Sequence, residues 1–341
     1  MQTFPDKKLK GRTLKELDEL RKQQKRLEEK KRRFYSVDRT ETQEESLSKY
    51  GFYTENNCYY FNSPNGNGFF RGSNFVMEPL YHISSVFNAK RLFRLTNVYG
   101  HVQVLEFSQK DLISVSSFKL RCESVGNFLF EGQLQGLNRI KAYLYDHTKA
   151  CKEIERLGWQ KQGFFAWSNG ITVNGNFTPM DDLGIVEHDG QHYYIPALSS
   201  FYMVDETFFQ FERKFVHKNG NISLYDFTKK MLDVYGENAI VGMGFYFATL
   251  FRDIFVSTFR FFPILNIFGP KGTGKSEMAI SLLRLFGDLP VGDNMTNSTV
   301  PAMADHVART CNTLCHLDEY KNSLSKFVFV FVKSEALKFI E

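Results

Sequence analysis

The chain has 341 residues, 43% of them hydrophobic and 24% charged, with a formal net charge of +5. This length is enough for two or three folded units, and the composition excludes a disordered, collagen-like or disulfide-stapled class. Five scattered cysteines at 58, 122, 151, 311 and 315, with no C-x-x-C, argue against a zinc site and for a reducing, cytoplasmic setting.

The charge is unevenly placed. Residues 1–34 hold 13 lysines and arginines against 6 acids, a local net of +7, so the other 307 residues sum to −2. No apolar leader is present in this stretch. Thr13-Leu-Lys-Glu16 is a capping-box pattern, which predicts a helix running to about Arg33. Leu14, Leu17, Leu20 and Leu27 form only a thin apolar stripe. Lys30-Lys31-Arg32-Arg33 suits nucleic-acid phosphates, and suits equally a solvated helix that tethers the chain. With the polar stretch Thr40–Ser48, residues 1–45 read as a basic helical arm and linker.

Residues 46–150 read as an α+β domain. Tyr59-Tyr-Phe61 is a short strand before the turn-rich 62–68. Arg91–Thr96 and His101–Phe107 alternate about Asn97-Val-Tyr-Gly100, a hairpin pattern. Leu134, Leu137, Ile140 and Leu144 recur at helical spacing, and a second helix is expected over about 148–157. Aromatic residues here can pack a sheet or stack on bases, and packing is the commoner use. Residues 151–222 read as β-rich, with tight turns at Asn169-Gly170, Asn174-Gly175 and Asp189-Gly190. His188 and His192 flank the last of these turns and are read as loop histidines, not metal ligands.

Residues 223–341 carry the chemistry. Helices are expected over Ser223–Tyr235 and Asn238–Phe259. The second is apolar, but Arg252 and Asp253 interrupt it, each costing about 2.5–3.5 kcal/mol at a bilayer centre on insertion scales. It is read as a buried helix, with no membrane partner. Next comes an apolar run, Ile264–Phe268, expected as a buried strand. It leads into Gly269-Pro270-Lys271-Gly272-Thr273-Gly274-Lys275-Ser276, and a helix-compatible segment reaches to about Phe286. This is G-x-x-x-x-G-K-[ST] between strand and helix, the pattern of a phosphate-cradling loop. Its glycines let the backbone approach phosphate oxygens, and its amides face an anion at a helix N-terminus. Lys275 is expected on the β- and γ-phosphates of ATP and Ser276 on Mg2+.

After a possible strand at 290–295 and a helix near 300–309, Cys311–Leu317 reads as a strand ending in Asp318-Glu319, 43 residues past Lys275. Cys311 and Cys315 are read as small core residues of that strand. An acid beside a phosphate loop holds Mg2+ through water, and the next can take a proton from attacking water. Asp318 is therefore the expected metal residue and Glu319 the expected base. The pair points to hydrolysis, not transfer to a small acceptor.

Leu157-Gly-Trp159, Gly163-Phe-Phe-Ala-Trp167, Asn169-Gly170, the phosphate loop and Leu317-Asp-Glu319 together resemble primase–helicase-like ATPases of phages, plasmids and mobile elements. The Gly-Pro opening of the loop is also similar to superfamily 3 helicases of small viruses. The likeness covers roughly residues 80–322. It implies an α/β P-loop ATPase core of the AAA+ type, preceded by the α+β and β-rich domains and the N-terminal basic helix. It further implies a homo-oligomeric ring working on single-stranded DNA in replication, often beside primase partners. In such ATPases the acidic strand is followed by a helix–strand unit with a polar sensor and a trans-acting arginine. Here 22 residues follow Glu319, with no arginine after Arg309 and an apolar run, Phe327-Val-Phe-Val-Phe-Val332. The core is accordingly expected to be incomplete at its C-terminus, atypical after 322 and impaired in hydrolysis. Two further functions fit the residues: a regulatory P-loop ATPase that does not move DNA, and a non-catalytic nucleic-acid-binding protein.

Overall fold

The computed structural model describes residues 22, 41–63, 68–86, 88–203, 207–289, 293–294 and 299–318. The basic arm apart from Lys22, Glu319 and the 327–332 run lie outside the described residues. Chain contacts divide the protein into two units, 1–81 with 90–149, and 82–89 with 150–341.

The first unit opens with α1 (Glu41–Tyr50), where a polar linker was expected. Tyr50 explains the helix: its ring meets Tyr143 edge-on at 5.3 Å and its hydroxyl donates to Asp146 at 2.8 Å. Tertiary packing thus orders a stretch whose composition reads as loop. Strands β1 (Phe52–Glu55), β2 (Cys58–Asn62) and β3 (Phe69–Arg71) form an antiparallel sheet. A longer strand, β4 (Phe75–Ser84), is followed by β5 (Lys90–Asn97) and β6 (Val102–Ser108). The last two pair Phe93 with Leu105 and Arg91 with Phe107, the hairpin the alternation predicts. Helices α2 (Val115–Glu123) and α3 (Leu134–His147) complete the unit.

Phenylalanine builds this core. Phe52, Phe61, Phe75, Phe93, Phe107, Phe118, Phe128 and Phe130 are buried in one cluster with Leu137, Ile140 and Leu144 of α3. Tyr59 is buried there too, and its hydroxyl accepts from Met77 N at 2.9 Å and donates to Met77 O at 3.3 Å. These aromatics pack against each other, leaving their faces unavailable for stacking on bases.

In the second unit, the helix expected over 148–157 is replaced by β7 (Lys149–Glu153) and β8 (Leu157–Gln160). Pairing overrides local propensity: β7 runs parallel to β13 (Gln191–Tyr194), which forms a hairpin with β12 (Ile185–His188). Strands β9 (Phe164–Trp167), β10 (Gly170–Val173) and β11 (Asn176–Pro179) follow the expected turns. Their sheet has the order β11-β10-β9-β8-β15, where β15 is Thr310–Cys311. Only Thr310–Cys311 forms this edge strand, parallel to Leu157-Gly158; residues 312–316 belong to no strand, where a continuous strand was expected over Cys311–Leu317.

Helix α4 (Leu224–Tyr235) is capped by Ser223, whose hydroxyl accepts from Asp226 N, and it stops at Gly236, φ 58°. The single helix expected over 238–259 is two: α5 (Glu237–Leu250) and α6 (Arg252–Phe259), bent by 78°. Among the described residues no single helix is long and apolar enough to cross a membrane. Nor is α5 wholly buried: Ala239, Gly242, Met243 and Thr249 face inward, while Ile240 and Val241 are exposed. After the glycine loop come α7 (Lys275–Leu283), β14 (Asp293–Asn294) and α8 (Val300–Ala308). The last strand, β16 (Leu317–Asp318), runs parallel to β14. Where a strand was expected at 264–268, residues 261–270 belong to no strand or helix.

Candidate functional site

The glycine loop behaves locally as its spacing predicts. Gly272 has φ 82° and Gly274 φ 79°, left-handed values that a residue with a Cβ adopts only under strain. The turn at Gly274 opens α7 directly at Lys275. The first bond of that helix runs from Met278 N to Gly274 O, so the amides of Lys275, Ser276 and Glu277 lack intrahelical acceptors. These donors, at the positive end of a helix, suit a polyanion. Lys275 Nζ donates to Pro270 O at 2.6 Å and lies 3.4 Å from Thr273 Oγ1, and Thr273 Oγ1 also donates to Pro270 O at 3.0 Å. The lysine ammonium is thus curled over the loop, held by one carbonyl that a phosphate would readily outcompete. Lys271, Thr273 and Ser276 are exposed, so the loop opens to solvent.

Two contacts seat the loop from below. A Cβ on Gly274 would lie 3.3 Å from Tyr235 Cε1, at the end of α4. A Cβ on Gly242 of α5 would lie 2.3 Å from Met278 Cε, so that glycine lets α5 and α7 close on each other. Met231, Ala239, Met243, Met278 and Leu282 form the cluster beneath, and Leu314 packs against it. Leu314 stands four residues before Asp318, which links the acidic segment to the helix that carries Lys275 and Ser276.

Asp318 is half-buried at the end of β16, paired in register with Asn294. Glu319 lies outside the described residues. His316 is partly buried, which pushes its pKa below the ordinary histidine value, while the Asp318 carboxylate pulls it back up in part. The imidazole is therefore neutral in the fold more readily than in the unfolded chain. Stability is full above the unfolded value of about 6.5 and falls as the pH drops below it towards the folded one. His316→Gln is expected to flatten that acid limb, read from urea midpoints at about pH 7.5 and 5.5.

Asn312 has no signal in the sequence reading, yet it organises this region. It is buried, with φ 54°. Its amide Nδ2 donates to Leu250 O at 3.0 Å and to Asp253 Oδ1 at 2.6 Å, and Asp253 N donates back to Asn312 Oδ1 at 3.2 Å. One side chain thus satisfies the broken end of α5 and the start of α6, which is why the bend sits there. Asparagine tolerates the left-handed region, and this was the cue available. Asn312→Ala is expected to cost about 1–3 kcal/mol by leaving these groups unpaired, measured as a lower urea midpoint with faster amide exchange at Asp253. Cys311 beside it is half-buried and its thiol pKa is raised by that burial, whereas Cys315 is exposed, against the expectation of a core position.

Residues fit a nucleotide and its metal in kind. The loop amides and Lys275 are donors for phosphate oxygens, and the Ser276 hydroxyl is a hard oxygen ligand. Among the described residues no group of three or more His, Cys, Asp or Glu could hold a metal. A Mg2+ that travels with a nucleotide draws most of its ligands from phosphate and water, so it needs only one or two protein oxygens.

No family model matches the chain, and no curated protein matches it. Among solved structures, one described as "SCCmec type IV Cch - active helicase" is similar with a TM-score of 0.35 and 10% identity, over 84% of this chain and 62% of that one. The chain thus spans about three fifths of that protein's length, and at such a score no functional argument follows from the likeness.

Proposed function

We propose that the chain is a nucleoside-triphosphate-binding module of the P-loop class, acting as a DNA helicase or translocase in replication. The observation that carries this reading is local. Two left-handed glycines, Gly272 and Gly274, open a helix directly at Lys275-Ser276, and that helix shares its core with the segment ending in Asp318. In this reading Gly269 to Ser276 wrap the triphosphate and Lys275 neutralises its β- and γ-oxygens. Ser276 and Asp318 hold Mg2+, directly and through water, and Glu319 accepts the proton of the attacking water. The metal's own contribution is to neutralise charge that develops on the phosphate oxygens.

The polymer partner follows from charge. The +7 carried by residues 1–34 supports a polyanion, and the resemblance set out above supports single-stranded DNA and a homo-oligomeric ring. The test is ATP hydrolysis by the purified full chain with and without single-stranded DNA. Stimulation of about tenfold or more, reduced by added salt and lost in Asp318→Asn, is expected. Hydrolysis indifferent to DNA would favour a regulatory ATPase, and DNA binding untouched by Lys275→Ala with no hydrolysis would favour a nucleic-acid-binding protein without catalysis.

A further inference from the structure

Helix α5 turns one side to the core and leaves the opposite side bare. Ala239, Gly242, Met243 and Thr249 are buried, whereas Glu237, Ile240, Val241, Gly244, Phe247 and, just past the helix end, Phe251 are exposed. The exposed set recurs at three- and four-residue intervals, so it forms one continuous stripe. Ile240 is 61% exposed, Val241 59%, Phe247 41% and Phe251 53%, and no charged residue occurs from Asn238 to Phe251. The outer face of a surface helix normally carries polar groups, and a bare apolar stripe marks a contact surface. Of the two glycines in α5, one has a reason inside the chain. A Cβ on Gly242 would run into Met278, whereas nothing lies within 4 Å of a Cβ built on Gly244. Glycine weakens a helix interior, so its use at 244 calls for a partner outside the chain. Gly244 stands at the middle of the stripe between Val241 and Phe247, a notch where another backbone can approach closely.

We propose that this stripe docks on the same stripe of a second copy of the chain, the two α5 helices crossing antiparallel at Gly244. Three observations favour a second copy over another occupant. The notch and the projecting side chains lie on one surface, so the face complements itself: with Gly244 opposite Gly244, Val241 of one copy meets Phe247 of the other, twice. Charge agrees with the antiparallel sense. Glu237 is the only charged residue of α5, and this crossing holds its two copies at opposite ends, whereas a parallel one would bring like charges together. The area is adequate too. Ile254 and Phe259 of α6 are 57% and 67% exposed. With the α5 stripe they leave roughly 600 Å² of apolar surface open, at ~200 Å² for a fully exposed large residue. That approaches the ~800 Å² each partner contributes to a standard interface, before a polar rim is added. Such a contact is two-fold and needs no nucleotide. It is therefore separate from the head-to-tail contacts that close a ring, and it stands apart from the nucleotide reading.

The test is sedimentation equilibrium of the full chain without nucleotide, over a concentration series. The native chain is expected to be a dimer that dissociates on dilution. Gly244→Ile fills the notch, and Val241→Glu places a charge opposite Phe247. Each is expected to raise the dissociation constant about 30-fold or more. Circular dichroism is expected to be unchanged in both, because both sites face open space. Leu120→Glu, at an exposed apolar site on α2, is expected to leave the dimer intact. A native chain that stays monomeric to about 100 μM overturns the proposal, whether it remains free or binds vesicles of anionic lipid instead. So does a dimer that survives both α5 substitutions, that Leu120→Glu dissociates as strongly, or that forms only with Mg-ATP. Should Gly244→Ile fold poorly, Val241→Glu decides alone.

Discussion

Gly158→Val is expected to destabilise the second unit by about 3 kcal/mol or more, a loss in the range reserved for steric and backbone violations. Gly158 sits at φ 90°, and a Cβ there would lie 2.0 Å from the carbonyl oxygen of Cys311, its parallel partner. Backbone cannot move aside as a flexible side chain can, so the strand carrying Cys311 must detach or shift. Gly175→Ala is the control. Gly175 has φ 81° but nothing lies within 4 Å of its would-be Cβ, so it reports left-handed strain alone, about 1–2 kcal/mol. For a unit of this size the Gly158 variant is expected to melt about 6–12 °C lower, by circular dichroism, with the Gly175 variant well above it. Because β15 leads through Asn312 to Leu314 and Asp318, the same substitution is expected to displace the acidic segment.

Lys275→Ala is the complementary case, with a large effect on ligand and almost none on stability. Its ammonium makes one close bond, to Pro270 O at the exposed loop, so its loss is expected to change stability by less than about 0.5 kcal/mol. Against a triphosphate it is a charge-assisted donor to two phosphates, and affinity for Mg-ATP is expected to fall about 100-fold. Isothermal titration with thermal melts on the same samples separates the two. Loss of binding together with a collapse in melting temperature would mean the lysine is structural.

Local chemistry was legible where short-range rules govern. The hairpin of β5 and β6, the helix expected over Ser223–Tyr235 and the Gly272–Gly274 turn opening α7 all follow from spacing and residue type. Long-range pairing was not. Lys149–Glu153 carries no strong strand pattern and is extended because β13 lies beside it. Glu41–Tyr50 is helical because Tyr50 reaches Tyr143 and Asp146. The 78° bend follows from Asn312, 59 residues beyond Asp253 in the chain, and no window-based pattern spans that separation. The pairing of Leu157-Gly158 with Thr310-Cys311 has the same character: the Gly-Trp signature is readable as a motif, but the carbonyl that makes its glycine obligatory is contributed from 153 residues away. Ile264–Phe268 shows the converse. Its composition reads as a buried strand, and the described residues supply no partner for it.

The most direct measurement is titration of the full chain with ATP, ADP and AMP in the presence of Mg2+. Affinity rising about tenfold or more with each added phosphate, and amides of 272–277 protected from exchange only when nucleotide is bound, is the predicted result. Equal weak binding of all three, or no protection at the glycine loop under saturating ATP, would contradict the assignment of residues 269–276 as a triphosphate site.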